Sequence, residues 1–291
     1  MPTKKSKSEK LIDLKKFNMA SIKPNKKILF IGGTNTGKTV LMKDYLYHHQ
    51  SEFPIISLVS PTEPYNKTYR NHIPSIFTHE QYTEDLIEQL INRQKAITKN
   101  CTDDPSYRNV NPCTAIIMDD CLADIRLWKN DPNIKWIFEN GRHVNITLLI
   151  AMQYAVGIPP VLRANIQYVF LCKNTKIQEQ KKLFEMYAGM FDSFAQFREV
   201  FKRCTQKYGC MVINNEEQSY EIENNVFYYR VSIEDKPDWT TFRLCYPIFW
   251  KDNDKCARIK QQELDKVRKL TPTEPTKKIV VSNQDSDEDD Y

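Results

Sequence analysis

Glycine is scarce, seven among 291 residues, which excludes Gly-rich linkers and low-complexity or collagen-like classes and makes any clustering of glycines informative. No apolar run approaches the ~20 residues a bilayer crossing needs. The richest stretch, Ile146 to Leu162, is interrupted by Gln153, Gly157, Pro159 and Pro160, so no membrane span is expected. The opening MPTKKSKSEK carries lysines with no apolar segment behind them, unlike a secretory signal. No C-x-x-C pair occurs among Cys101, Cys113, Cys121, Cys172, Cys204, Cys210, Cys245 and Cys256, which argues against a zinc or disulfide framework. Reduced thiols in the compartment of synthesis are expected.

What is present suffices for a sizeable core: 41% of the chain is apolar, and its length suits one large domain with appendages. The net charge of +5 conceals a polarity. Residues 1–27 hold nine lysines against Glu9 and Asp13, whereas Asp285, Asp287, Glu288, Asp289 and Asp290 form an acidic block behind a Thr/Pro-rich stretch from Leu270 to Thr276. Such blocks cannot bury enough apolar surface to order themselves. The expected organisation is a flexible basic arm over 1–25, a globular domain over 26–250, and a C-terminal helix, linker and acidic tail over 251–291. The arm suits either solubility alone or contact with a phosphate backbone or acidic partner.

Short, β-branched, nearly continuous apolar runs at Lys27 to Gly32, Ile55 to Ser60, Ala115 to Met118, Ile146 to Met152 and Tyr168 to Cys172 predict strands covered on both faces. Helical spacing separates them at 39–48, 83–98, 132–140 and 177–190. Alternating strand and helix implies a mainly parallel α/β sheet with its ligand site at the C-terminal strand ends. After Ser193 the pattern changes to one helix, then two added strands at 210–213 and 226–231, with weak helical spacing over 256–270.

After the first strand, Gly32, Gly33, Thr34, Asn35, Thr36, Gly37, Lys38 and Thr39 fit G-x-x-x-x-G-K-[ST]. The glycines let backbone amides wrap a phosphate, Lys38 reaches the outer phosphates, and Thr39 supplies a hydroxyl for Mg²⁺. With so few glycines, chance yields this pattern in about two of a thousand such sequences. The strand Ile116 to Met118 then ends in Asp119, suited to the Mg²⁺ shell, and Asp120, suited to orienting or deprotonating water. Adjacent strand residues point oppositely, so both can serve one nucleotide only if the strand breaks at Asp120. Gln153, closing the run Ile146 to Met152, either caps a strand or senses a γ-phosphate. Arg142, in Asn140–His143, is a surface arginine or a finger donated to a neighbouring subunit's nucleotide, with Arg163 the competing choice. No glycine has an aspartate three residues before it, so the D-x-x-G of a GTPase is missing, and the chain is too short for a second helicase core.

GGTNTGKT, SLVSPTEPYNKTY, IIMDD, NGRHVNITLLIAMQ and IPPVLRANIQYVFLCKN, in this order, resemble the genome-packaging ATPases of nucleocytoplasmic large DNA viruses and virophages, the poxvirus-type branch of the FtsK/HerA superfamily. The resemblance covers roughly residues 22–231. It implies a P-loop NTPase with a RecA-like ASCE core, in which the catalytic strand is inserted between the phosphate-loop strand and its neighbour. It also implies ATP and Mg²⁺ as cofactors and a homo-oligomeric ring driving double-stranded DNA into a capsid, through a capsid or portal-vertex component, in the virion or host cytoplasm. Lys38 and Thr39 match its Walker A positions, Asp119 and Asp120 its Walker B pair, Gln153 its sensor-like glutamine and Arg142 the arginine of its GRH segment. Where that superfamily often has glutamate, this chain has Asp120. A small-molecule or nucleoside kinase, and a nucleotide-ordered DNA-binding scaffold without catalysis, are the alternatives.

Overall fold

The computed structural model describes residues 13–121, 128–217 and 219–270, with 263–270 described by backbone alone. The strands β1 (Lys27–Ile31), β2 (Ile55–Val59), β3 (Thr78–His79), β4 (Thr114–Met118), β5 (Ile146–Met152), β6 (Tyr168–Cys172), β7 (Cys210–Asn214) and β8 (Val226–Tyr229) form one sheet in the order β3-β2-β4-β5-β1-β6-β7-β8. From β3 through β6 all neighbours pair in parallel, and β7 and β8 add antiparallel at the β6 side.

Strand residues alternate between two cores, which explains their unbroken hydrophobicity. Leu29, Ile116, Leu148, Ile150 and Val169 face the side covered by α2 (Glu84–Asp103), α3 (Pro132–Asn140), α4 (Ile177–Tyr187) and α5 (Phe194–Cys204). Ile28, Phe30, Ile117, Leu149 and Phe170 face α1 (Lys38–His48), with Trp239, Phe242 and Leu244 contributed by the segment that follows β8. Phe30 and Phe170 stack across β1 and β6 at 4.8 Å between centroids. Burying such side chains contributes roughly 1.5–3 kcal/mol each.

Helices α2, α3 and α5 start on side-chain caps: Thr83 accepts from Leu86 N, Asp131 from Asn133 N, and Ser193 from Gln196 N. At α1 the cap position is Gly37, with φ of 96° and no side-chain bond to the first-turn amides. Those amides suit an anion.

Two expectations about boundaries need correction. The basic arm does not extend to residue 25: Phe17 N donates to Tyr228 O, Tyr228 N to Lys15 O, and Phe17, Met19 and Ile22 are buried beside α1 and β8. The lysine count masked these apolar anchors. A final helix, α6 (Pro247–Leu270), begins before residue 251 and crosses the boundary drawn there. Residues 1–12 and the acidic tail, with Thr271 to Thr276 of the linker, lie outside the described residues.

Candidate nucleotide site

The phosphate-loop motif occupies the turn from β1 into α1, at the C-terminal edge of the sheet. Gly32 is indispensable there, because a Cβ would meet Cys172 Cβ and Thr36 Oγ1 at 2.5 Å, and Gly37 has the left-handed backbone that lets α1 start. Asn35 also has positive φ, at 59°. Thr36 Oγ1 donates to Gly33 O at 2.7 Å and Lys38 Nζ donates to the same carbonyl at 3.0 Å, so the loop and its ammonium form one unit. Thr34 and Asn35 are exposed at the tip.

The second part arrives on β4, two strands away. β4 ends at Met118, and Asp120 has φ of 55°, so the strand is broken where two adjacent carboxylates must serve one place. Thr39 Oγ1 donates to Asp119 Oδ2 at 3.4 Å, while Gln153 Nε2 donates to Asp120 Oδ1 at 3.4 Å. The strand inserted between β4 and β1 is β5, which ends just before Gln153. Lys38, Thr39, Asp119, Asp120 and Gln153 therefore share one edge.

Asp119 is buried, and its carboxyl is pushed up to about 6, first by burial and then by the Asp120 charge, against the opposing pull of Tyr69, Lys38 and Thr39. Its Oδ1 is buried without a hydrogen-bond partner. An orphaned carboxylate oxygen beside a threonine hydroxyl fits a hard cation such as Mg²⁺. Among the described residues no cluster of three or more His, Cys, Asp and Glu occurs, so a cation here would rely on few protein oxygens, as Mg²⁺ does beside phosphates.

The two arginines separate clearly. Arg142 is exposed in the 3₁₀ turn Gly141–Val144 that precedes β5, and its charge helps depress Lys27, at the start of β1, to about 8, burial being the larger cause. Seven residues of β5 then lead to Gln153, a rise of about 23 Å, so Arg142 stands at the opposite edge from its own chain's phosphate loop. Arg163 is engaged internally: Nη1 donates to Ile158 O at 3.1 Å, and its guanidinium lies 5.8 Å from the centre of the Tyr187 ring, whose hydroxyl donates to Ala155 O. It braces the loop behind Gln153.

Sequence reasoning gave no role to Tyr69, although it stands in the string after β2. It is 1% exposed, and its hydroxyl donates to Asp119 Oδ2 at 3.0 Å. The repeated aromatic in SPTEPYNKTY was the available signal, but nothing local tied it to an acid 50 residues on.

A mainly parallel sheet with strand β5 inserted between the phosphate-loop strand and the acid-bearing strand, and a glycine-poor chain that spends three glycines in one loop, define the P-loop NTPase fold of the RecA-like ASCE type. B204, the DNA-packaging ATPase from Sulfolobus turreted icosahedral virus, shares this fold at a TM-score of 0.50 with 14% identity, covering 72% of this chain and 100% of that one. The conjugation coupling protein TcpA of pCW3 does so at 0.50 with 12% identity, covering 72% of this chain and 62% of that one. Within that class the chain belongs to the Poxvirus A32 protein family, which it matches over residues 14–229. Its relatives include the uncharacterized protein L437 of Acanthamoeba polyphaga mimivirus, 32% identical over 219 residues, which are 75% of this chain and 77% of that protein. Another is the uncharacterized protein 075L of Invertebrate iridescent virus 6, 31% identical over 216 residues, 73% of this chain and 80% of the relative.

Proposed function

We propose that this protein is an ATP-hydrolysing motor that moves double-stranded DNA into a viral capsid as a homo-oligomeric ring. The observation that carries the reading is the meeting of Thr39 with Asp119, and of Asp120 with Gln153, beside the phosphate loop that holds Lys38. Membership of a poxvirus protein family and a fold shared with a viral DNA-packaging ATPase support the packaging role.

Backbone amides from Gly32 to Thr39 would bind the phosphates, Lys38 would hold the outer ones, and Thr39 and Asp119 would hold Mg²⁺. The bound cation supplies neutralisation of charge on the β- and γ-phosphates. Asp120 orients the attacking water and accepts its proton, and Gln153, bonded to Asp120, senses the γ-phosphate. Arg142 stands a full β5 length from its own chain's phosphate loop and, being exposed, is open to a neighbouring subunit's site, whereas half-buried Arg163 donates to a carbonyl of its own chain. Capsid or portal-vertex attachment and action at the viral assembly site follow from the packaging role.

A DNA-stimulated ATPase assay combined with native mass measurement tests the reading. DNA-stimulated turnover by a ring is the expected result, and stimulation by a small phosphoryl acceptor instead of DNA would make it a kinase. Lys38→Ala should reduce hydrolysis to background. Mixing Lys38→Ala with Arg142→Ala protein should restore part of the turnover if the arginine acts between subunits. No recovery in mixed assemblies would remove Arg142 from the site.

A further inference from the structure

The loop after β2 is built around a buried acid of its own. Its one-turn helix Glu63–Asn66 ends at Lys67 with φ of 51°, and Glu63 Oε1 accepts Tyr69 N at 2.9 Å. This turn drives the Tyr69 side chain inward, so that its hydroxyl reaches Asp119 Oδ2 at 3.0 Å and lies 3.9 Å from Met42 Sδ. Thr39 Oγ1 donates to the same carboxylate oxygen. The other oxygen, Oδ1, is buried without a partner.

A carboxylate's two oxygens are chemically equivalent, and their terminal torsion is soft. Two donors on one oxygen fix that torsion at the observed orientation or its equivalent half-turn: any other rotation would break both bonds and bury an unpaired hydroxyl, which costs more than a lost hydrogen bond in water. Thr39 keeps lone pairs for a cation while its hydrogen is spent on Oδ2. Tyr69 is absent from the phosphate loop and from the acid pair, and its phenol bonds an acid that it does not follow in sequence. We infer that Tyr69 is a positioning residue that holds Asp119 by Oδ2 and keeps Oδ1 turned toward a divalent cation or its coordinated water. Groups that orient a metal-binding side chain in this way typically govern about 10- to 100-fold in metal affinity. This inference rests on the proposed role of Asp119 as an Mg²⁺ ligand.

The test titrates Mg²⁺ into full-length protein carrying a fluorescent ATP analogue and compares wild type with Tyr69→Phe, which keeps the ring and removes the hydroxyl. The half-saturating Mg²⁺ concentration should rise about tenfold, with analogue affinity in EDTA unchanged. Thermal unfolding read on the same samples separates a packing defect: a lowered Tm with an unmoved Mg²⁺ midpoint overturns the inference. Met42→Leu disturbs the same packing and leaves the phenol–carboxylate bond intact, so it should keep the wild-type midpoint; a shift as large as that of Tyr69→Phe would also overturn it. A wild-type protein with no Mg²⁺ response would sink the metal role of Asp119 and this inference together. A wild-type response preserved in Tyr69→Phe would sink this inference alone.

Discussion

Two buried aspartates near helix α1 are treated in opposite ways. Asp44, inside α1, is fully buried but forms an ion pair with Lys236 Nζ at 2.9 Å, accepts a hydrogen bond from the Tyr229 hydroxyl, and has His48 Nε2 3.8 Å away. Asp119, at the mouth of the sheet, has only the neutral donors Tyr69 and Thr39 at bonding distance, keeps one oxygen unpartnered, and holds its proton up to about 6. The first acid is neutralised by the fold. The second is left for something the fold does not contain, and that asymmetry separates a structural acid from a binding one.

The comparison also explains what the segment after β8 does. Lys236 arrives in the turn Ile233–Lys236, donates to Ser232 O, and lies over the rings of Tyr47 and Trp239. Tyr47 in turn donates to Asp238, and Leu244 N to His72 O. The segment thus clamps the helix that carries the phosphate loop, with Asp44 as the buried end of the clamp.

The largest effect on this contrast should come from Lys236→Met, which keeps the stem and deletes the charge. An uncompensated buried carboxylate typically costs about 3 kcal/mol or more, and a urea-unfolding midpoint at pH 8 should fall accordingly. His48 is the available substitute cation. In the wild type its pKa is lowered, chiefly by burial and further by Lys236, with Asp44 pulling the other way. Without Lys236 one of the lowering influences is gone, while burial, the larger cause, still opposes Asp44, so the folded imidazole holds its proton more tightly than in the wild type. The stability deficit of the variant relative to wild type should therefore narrow as pH falls through the His48 titration and be largest at pH 8. A variant as stable as wild type at pH 8 would show that Asp44 is not held by its cation.

Asp119→Asn should act in the other direction. Because the folded carboxyl is raised to about 6 from an unfolded value near 4, the folded state binds its proton more tightly, and wild-type stability declines as pH rises across that window. In EDTA at pH 7 the variant should be more stable by about 3 kcal/mol, with the gap closing toward pH 4. Adding Mg²⁺ and ATP should reverse the order, since only the aspartate gains a ligand. A variant less stable than wild type in EDTA would erase the distinction between the two acids.

The sequence made one half of this contrast readable. The phosphate loop and the acid pair are contiguous strings whose chemistry is local, and the buried parallel strands announce themselves by unbroken hydrophobicity, so the sheet and the convergence of the phosphate loop with the acid pair were legible. The break at Asp120 was also legible, because two neighbouring strand residues cannot otherwise face one ligand. The clamp and Tyr69 were not. Asp44 and Lys236 are separated by most of the domain, and an aspartate within a helix looks solvated until tertiary packing encloses it. The N-terminal anchors failed for a related reason: Phe17, Met19 and Ile22 are spaced too widely among lysines to register as a core segment, and only β8 and α1 give them something to bury against.

The finest cut is Tyr229→Phe, which removes a single hydroxyl from Asp44 and leaves Lys236 in place. The phenol is held in its protonated form, well above its ordinary range, first by burial and then by the neighbouring Asp44 charge, so it is a donor throughout the accessible pH range. Losing a hydrogen bond to a charged group costs about 1.5 kcal/mol. If Lys236 alone satisfies the carboxylate, the loss should be smaller still, and the double variant Tyr229→Phe with Lys236→Met should cost the sum of the single changes. If the phenol and ammonium, which hold Oδ2 and Oδ1 of one buried acid, act as a unit, the second removal takes away less than it does alone, and the double variant should cost less than that sum. Urea unfolding of the four proteins decides between these outcomes. Sub-additivity would mean that the phenol and ammonium hold Asp44 as one unit within the clamp, whereas Asp119 waits on a ligand.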